Sequence, residues 1–194
     1  MARPREFDTK VALTDAMNVF WQHGYEAASL PALLEGMGLT RGSLYKAFTD
    51  KKTLFIEVLN RYEAEAVDPA VVLLTTGPDD GAARINALFD SLVVAVERGD
   101  QRGCLLCSAA AGPSAVDADI SKVVQHQLRK MGDAFHVALI QSAPQSRASA
   151  LDLRNLAGLL LAQYVGLRVM VRSNAPIDAI RHSTKAIADI LDAL

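Results

Sequence analysis

The chain has little that would support catalysis, secretion or membrane insertion. It holds two cysteines, too few for the disulfide framework of a secreted scaffold. Cys104 and Cys107 make a single CxxC, with no second CxxC and no histidine pair beside it, so a zinc site is not expected. The histidines His23, His126, His136 and His182 are scattered. No base-and-orienter arrangement, phosphate loop or metal cluster is visible, so no catalytic residue, metal or cofactor is assigned. Long apolar runs are missing too. The longest, Leu156 to Val171, is interrupted by Gln163 and Arg168 and is shorter than the roughly 20 residues that cross a bilayer. The N-terminus is polar and lacks the apolar segment of a signal peptide. The expectation is a cytoplasmic protein without membrane contact. Nor is there an excess of one charge: the formal net charge is −2, which excludes a general polycation.

What is present is helical. Hydrophobic residues make up 51% of the 194 positions, enough for a real core, and no stretch alternates as a strand. The aromatics are unevenly placed. Phe7, Phe20, Trp21, Tyr25, Tyr45, Phe48, Phe55 and Tyr62 lie near the start, leaving Phe89, Phe135 and Tyr164 for the rest. Large side chains help most where a domain is small. The shift predicts an N-terminal domain over 1–66 and a larger aliphatic one over 67–194.

Helical spacing predicts a first helix from about Asp8 to His23, with Leu13, Ala16, Met17, Phe20 and Trp21 as its apolar stripe and Gly24 as its stop. Ser29 is placed to cap a second helix, with Pro31 in its first turn and Leu30, Leu33, Leu34 and Met37 facing inward. Gly38 permits a left-handed turn. Thr40 caps a third helix that runs to Phe48, and Asp50 a fourth with stripe Leu54, Phe55, Val58, Leu59 and Tyr62. Asp68-Pro69 and the run from Gly77 to Gly81 read as breakers. Further helices are expected at about 82–98, 103–111, 116–142, 147–173 and 177–193, about nine in all.

The second and third helices around Gly38 have the build of a helix-turn-helix that enters the major groove of DNA. Residues 38–52 supply concentrated positive charge, with Arg41, Lys46, Lys51 and Lys52 against Asp50. The N-terminus of the third helix would bring Thr40, Arg41 and Ser43 near bases or phosphates. Arg41 can make paired hydrogen bonds to guanine or clamp a phosphate. Gly42 lets the backbone approach closely. Tyr45 and Lys46 share an exposed side with Arg41 and Gly42. Ser29 and Lys52, each at a helix start, can hold the DNA backbone, and Arg3 and Arg5 would form a basic arm. The competing reading makes Tyr45 and Lys46 an ordinary solvated face.

The runs Gly24 to Ser29, Gly38 to Phe48 and Asp50 to Phe55 together resemble the N-terminal domain of TetR/AcrR-family transcriptional regulators, over about residues 8–62. Arg102 to Leu106 is similar to the opening of helix 6 in many members. The resemblance implies an all-α fold: a three-helix helix-turn-helix domain and a helical ligand-binding and dimerisation domain. It implies a homodimeric repressor on a palindromic operator of double-stranded DNA, released when a small-molecule inducer moves the fourth helix. The sequence departs from the family pattern at Leu34, which is large, and Gly36, which is small, at an expected crossing of the second and third helices.

In the body, the helix over 147–173 is apolar nearly all round, and the last helix carries Ile177, Ile180, Ile187, Ile190, Leu191 and Leu194. The resemblance implies that these two pair with their mates in a four-helix dimer interface; the alternative is a monomer core. Phe89, Leu92, Val93, Val96, Cys107, Phe135, Tyr164 and Arg168 are the expected lining of a modest aliphatic ligand cavity. Tyr164 and Arg168 would bind a carboxylate or carbonyl, unless Arg168 forms an internal ion pair or reaches the dimer rim. Cys104 and Cys107 read first as core residues. A helix N-terminus can lower a thiol pKa, so an electrophile or oxidant sensor is the second reading, and a helical-bundle enzyme using Cys104 or Cys107 is a third.

Overall fold

Apolar residues recur at helical spacing along the chain, and each stripe is buried against another helix. The structure is a computed structural model that describes residues 7–77, 80–142 and 150–193. Arg3 and Arg5 lie outside the described residues. The elements are α1 (Thr9–Ala27), α2 (Leu30–Met37), α3 (Arg41–Ala47), α4 (Lys51–Tyr62), a π turn (Glu63–Val67), α5 (Asp68–Thr75), α6 (Gly81–Glu97), α7 (Leu105–Ala111), a 3-10 turn (Pro113–Val116), α8 (Ala118–Ser142), α9 (Ala150–Arg172) and α10 (Ile177–Asp192). Among the described residues there is no strand.

The N-terminal helices form as their caps dictate. The Asp8 carboxylate accepts from the Lys10 and Val11 amides, and Gly24 at φ 77° ends the regular part of α1. Ala16, Phe20, Leu33, Leu44, Phe48, Leu54 and Phe55 then bury a small core. Phe20, Tyr25 and Phe55 are in ring contact within it. Gly36 serves a different crossing from the expected one. A Cβ there would lie 2.4 Å from Val19 Cγ2, so the small residue lets α2 approach α1 and not α3.

Asp68-Pro69 does not break the chain. Residues 51–75 run as one rod through α4, the π turn and α5. The Asp68 amide bonds the Glu63 carbonyl, five residues back. The wider turn accommodates a proline whose missing N–H and ring would disrupt a regular helix. The expected domain boundary at 66/67 falls inside this turn, so the rod belongs to both the head and the body. Lys130 of α8 fastens the turn, with Nζ 2.7 Å from Glu63 and also paired to Asp68. Buried Gln127 donates to the Leu59 carbonyl at 3.0 Å.

Gly81 is likewise no breaker. It is the first residue of α6, capped by Asp80. A Cβ at Gly81 would sit 1.7 Å from the Ala138 carbonyl oxygen of α8. Gly81→Ala is therefore expected to force these helices apart and destabilise the chain by about 1–3 kcal/mol. Urea denaturation measures it; an unchanged midpoint would contradict this account of the contact.

In the body, α10 buries Ile180, Thr184, Ile187 and Leu191, chiefly against α6. From α9, Leu160, Leu167 and Val171 are buried. Much of both expected interface stripes is thus core of the chain itself. Asp152, Arg154 and Arg172 are exposed toward the ends of α9; between them the exposed residues are Asn155, Gly158, Leu159, Ala162, Gln163, Gly166 and Val169, a mid-helix stretch without charge. Ile190 of α10 is exposed beside it, and a groove between the two helices is lined by Leu156, Leu159, Gln163, Ala186 and Ile190.

Candidate nucleic-acid interface

Three caps and one left-handed glycine position the reading helix. The Ser29 hydroxyl accepts from the Ala32 amide at 3.3 Å and starts α2. Its own proton remains free to donate. Gly38 adopts φ 60°, and the Leu39 amide closes on the Leu34 carbonyl at 3.0 Å. The glycine takes a backbone conformation that costs other residues energy. The Thr40 hydroxyl accepts from the Ser43 amide at 3.2 Å and lies 3.0 Å from the Ser43 hydroxyl. Asp50 caps α4 through the Thr53 amide at 2.7 Å, and these contacts hold its carboxyl below the usual range.

On α3, Leu44 and Phe48 point into the small core, while Arg41, Gly42, Tyr45 and Lys46 are exposed. Tyr45 is 44% exposed, unusual for a residue whose ring could have been buried in the core. The Arg41 guanidinium lies 5.7 Å from the Tyr45 ring centroid, so the two side chains occupy one surface. Nothing stands within 4 Å of where a Gly42 Cβ would be, leaving open space above the helix start. Neither Arg41 nor Lys46 has a carboxylate partner among the described residues. Their charge is available to an external anion. Arg41, Tyr45 and Lys46 can together offer a guanidinium fork, a hydroxyl and an ammonium to bases and phosphates.

Lys52 behaves differently from the expectation. Its ammonium is 2.7 Å from Asp119 and 3.4 Å from Asp117. Asp117 also receives the Asp119 and Ile120 amides at the start of α8. The Asp119 hydrogen bond, with both carboxylates, lifts the Lys52 pKa above the ordinary lysine value. Lys52 is tied to the body in the free chain, so a phosphate contact would require exchange of partners. Lys51 also faces inward, donating to the Glu26 carbonyl at 3.2 Å with its ammonium 4.8 Å from the Tyr25 ring centroid.

The head and body meet at a joint that sequence reasoning missed. Trp21, expected in the head's core, donates from Nε1 to the Arg102 carbonyl at 3.1 Å. Its ring meets Tyr62 edge-on at 5.3 Å and lies 4.3 Å beneath the Arg102 guanidinium. Arg172 adds a bond to the Gln22 carbonyl at 2.9 Å. These partners are far apart in sequence, and no local pattern announces them.

The cavity at the expected position is small and mostly apolar, with Tyr62, Tyr164, Arg168 and the two thiols as its polar lining. It measures about 20 Å³ and is lined by Tyr62, Val67, Cys104, Cys107, Met131, Tyr164 and Arg168, among others. Phe89, Leu92, Val96 and Phe135 do not line it. Phe89 and Phe135 stack at 6.0 Å, each against Tyr164, and Leu92 is fully buried. The aromatics close the space they were expected to frame. Cys107, Tyr164 and Arg168 do come together. Arg168 donates to the Tyr164 hydroxyl at 2.9 Å and to the Gly103 carbonyl at 3.4 Å; it forms no ion pair among the described residues, and its Nε is buried without a partner. No group of three or more metal-ligating side chains exists among the described residues, and no helix there is long and apolar enough to cross a membrane.

The chain is similar to known proteins both along its length and over its N-terminal helices. A family model described as bacterial regulatory proteins, tetR family, matches residues 12–58. YezE of Bacillus subtilis, an uncharacterized HTH-type transcriptional regulator, is 27% identical over 99% of this chain and 100% of its own length. ComR of Escherichia coli, an HTH-type transcriptional repressor, is 53% identical over 31% of this chain and 29% of its own. Among solved structures, a cysteine mutant of the TetR-family regulator CifR with 26-base-pair operator DNA superposes with TM-score 0.79 at 29% identity, covering 96% of this chain and 98% of that one.

Proposed function

Since the chain belongs to the TetR family of bacterial regulatory proteins and is a DNA-binding transcriptional regulator, we propose that it is a homodimeric cytoplasmic repressor, released from a palindromic operator by an effector acting in the body. The observation that carries the reading is the exposed, unpaired set Arg41, Gly42, Tyr45 and Lys46 on a helix fixed by Gly38 and Thr40. Arg41 reads a base or clamps a phosphate, Tyr45 and Lys46 add contacts beside it, and Ser29 together with one hydroxyl of the Thr40–Ser43 pair donates to the DNA backbone. In this reading residues 1–66 are the reading head and 67–194 the sensing and dimerising body.

The uncharged exposed mid-helix stretch of α9 and its groove with α10 support pairing with a second copy. A twofold axis there would present two heads to successive major grooves, about 34–36 Å apart. The effector is a small molecule that moves α4, whose Tyr62 borders the cavity. It favours a state in which the heads no longer fit both half-sites.

A stoichiometric titration on an operator recovered from genomic DNA tests the assembly. Two protomers per palindromic site are expected. Saturation by one protomer on a site without twofold symmetry would contradict it.

A further inference from the structure

We propose that Cys104 and Cys107 form a peroxide-responsive dithiol whose oxidation to a disulfide is transmitted to the reading head through Tyr62 and Trp21. The transmission to DNA rests on the function proposed above; the thiol chemistry and the movement of the joint do not.

The two thiols are free and buried. Cys104 is the first boundary residue of α7, and Cys107 lies in its first turn, three positions on, where side chains meet. The Tyr62 hydroxyl donates to Cys104 Sγ at 3.4 Å. Arg168 and Tyr164 complete the lining of the small cavity that both thiols border. Cys104, whose sulfur receives the Tyr62 hydroxyl, takes the nucleophile's role in this proposal. A hydrogen bond from Cys107, aided by the Tyr62 hydroxyl and the Arg168 charge, brings its pKa down to about 6 against the opposing effect of burial. The hydrogen bond to Cys104 together with burial pushes the Cys107 thiol up, so it keeps its proton until it resolves the intermediate.

The size of the cavity is compatible with only a very small co-reactant, and hydrogen peroxide is the smallest oxidant that completes the step. About 20 Å³ suits a molecule on the scale of water or hydrogen peroxide, and a disulfide adds no atoms. The Cys104 thiolate attacks one peroxide oxygen. An S–O bond forms, the O–O bond breaks, and hydroxide leaves to take up a proton as water. Cys107 Sγ then attacks the Cys104 sulfur. The S–S bond forms, the S–O bond breaks, and the second hydroxide departs with the Cys107 proton as water. One peroxide is reduced to two waters while two thiols lose two electrons.

The product cannot keep the present contacts. A disulfide sulfur is drawn toward Cys107 and is a weak acceptor, so the buried Tyr62 hydroxyl loses the Sγ partner it has in the reduced chain. Tyr62 ends α4 and supports Trp21 edge-on at 5.3 Å, and Trp21 is bonded to Arg102, two residues before Cys104. Both helices of the joint, α1 and α4, therefore register the change.

The test treats the full chain with hydrogen peroxide and reads intact mass under non-reducing conditions together with Trp21 emission, the chain having one tryptophan. Loss of two hydrogens with a shift in emission, both reversed by dithiothreitol, is expected. Cys104→Ser should abolish both. Cys107→Ser should form no intramolecular disulfide and instead leave a sulfenic acid that dimedone captures. Thermal melts establish that the variants are folded, and Cys107→Ala replaces Cys107→Ser if it is not. Unchanged mass, oxidation without a Cys104–Cys107 link, or a disulfide that leaves Trp21 emission unaltered would each overturn the proposal. On operator DNA the oxidised chain should bind at least tenfold more weakly; equal binding after a confirmed shift at Trp21 would overturn the transmission step.

Discussion

An Arg41→Ala/Tyr45→Ala chain is expected to bind its operator about thirtyfold or more weakly while melting at the temperature of the parent. A good paired contact to a base is worth about 1–3 kcal/mol, and about 1.4 kcal/mol is a factor of ten. Two such losses give the expected range. Stability should not follow, because both side chains are exposed and their recorded contact is with each other. The core beneath α3 is made by Leu44 and Phe48, which the variant keeps. Lys46→Ala should act differently, weakening all DNA sequences alike and flattening the salt dependence by about one phosphate. Anisotropy titrations on operator and scrambled DNA separate these effects. Unaltered operator affinity in the double variant would remove α3 as the reading helix.

If the chain pairs through α9 as proposed, Gly158→Arg is expected to leave it monomeric and to reduce operator affinity by about 10²–10⁴-fold, the gain that linking two binding modules supplies. Gly158 lies on the exposed face of α9, and a Cβ there meets nothing within 4 Å. Arginine is also the better helix former by nearly 1 kcal/mol. The monomer therefore has no reason to lose stability. In a close-packed pair of α9 helices, however, the long cation would enter an apolar seam opposite Leu159 or Val169 of a second copy, at a desolvation cost. Sedimentation equilibrium reads the mass directly. A Gly158→Arg chain that stays dimeric would place the interface elsewhere.

The head was legible in the sequence because its determinants are local. Ser29, Thr40 and Asp50 each cap the helix that follows them, and Gly38 marks the turn by its own φ. The stripe from Leu54 to Tyr62 is buried as its spacing requires. Local rules failed where a tertiary contact overrode them. Pro69 read as a breaker, yet the π turn, fastened by Lys130 from α8, carries the rod past it. Gly81 read as a loop glycine, but its small size serves an approach to Ala138. Lys52 read as a phosphate contact because nothing near it in sequence reveals Asp117 and Asp119. Phe89 and Phe135 read as cavity walls, whereas their pairing with Tyr164 fills the space. In each case the deciding partner lies on another helix. The cysteine pair was visible as a spacing, but its hydroxyl partner Tyr62 lies 42 positions away.

The most direct measurement of the central claim is selection of fragments from genomic DNA by the full chain, with the Arg41→Ala/Tyr45→Ala chain as control. The account predicts enrichment of a sequence with twofold symmetry and half-sites on successive turns, absent from the control. Fragments with no common sequence, or the same enrichment with both chains, would contradict it.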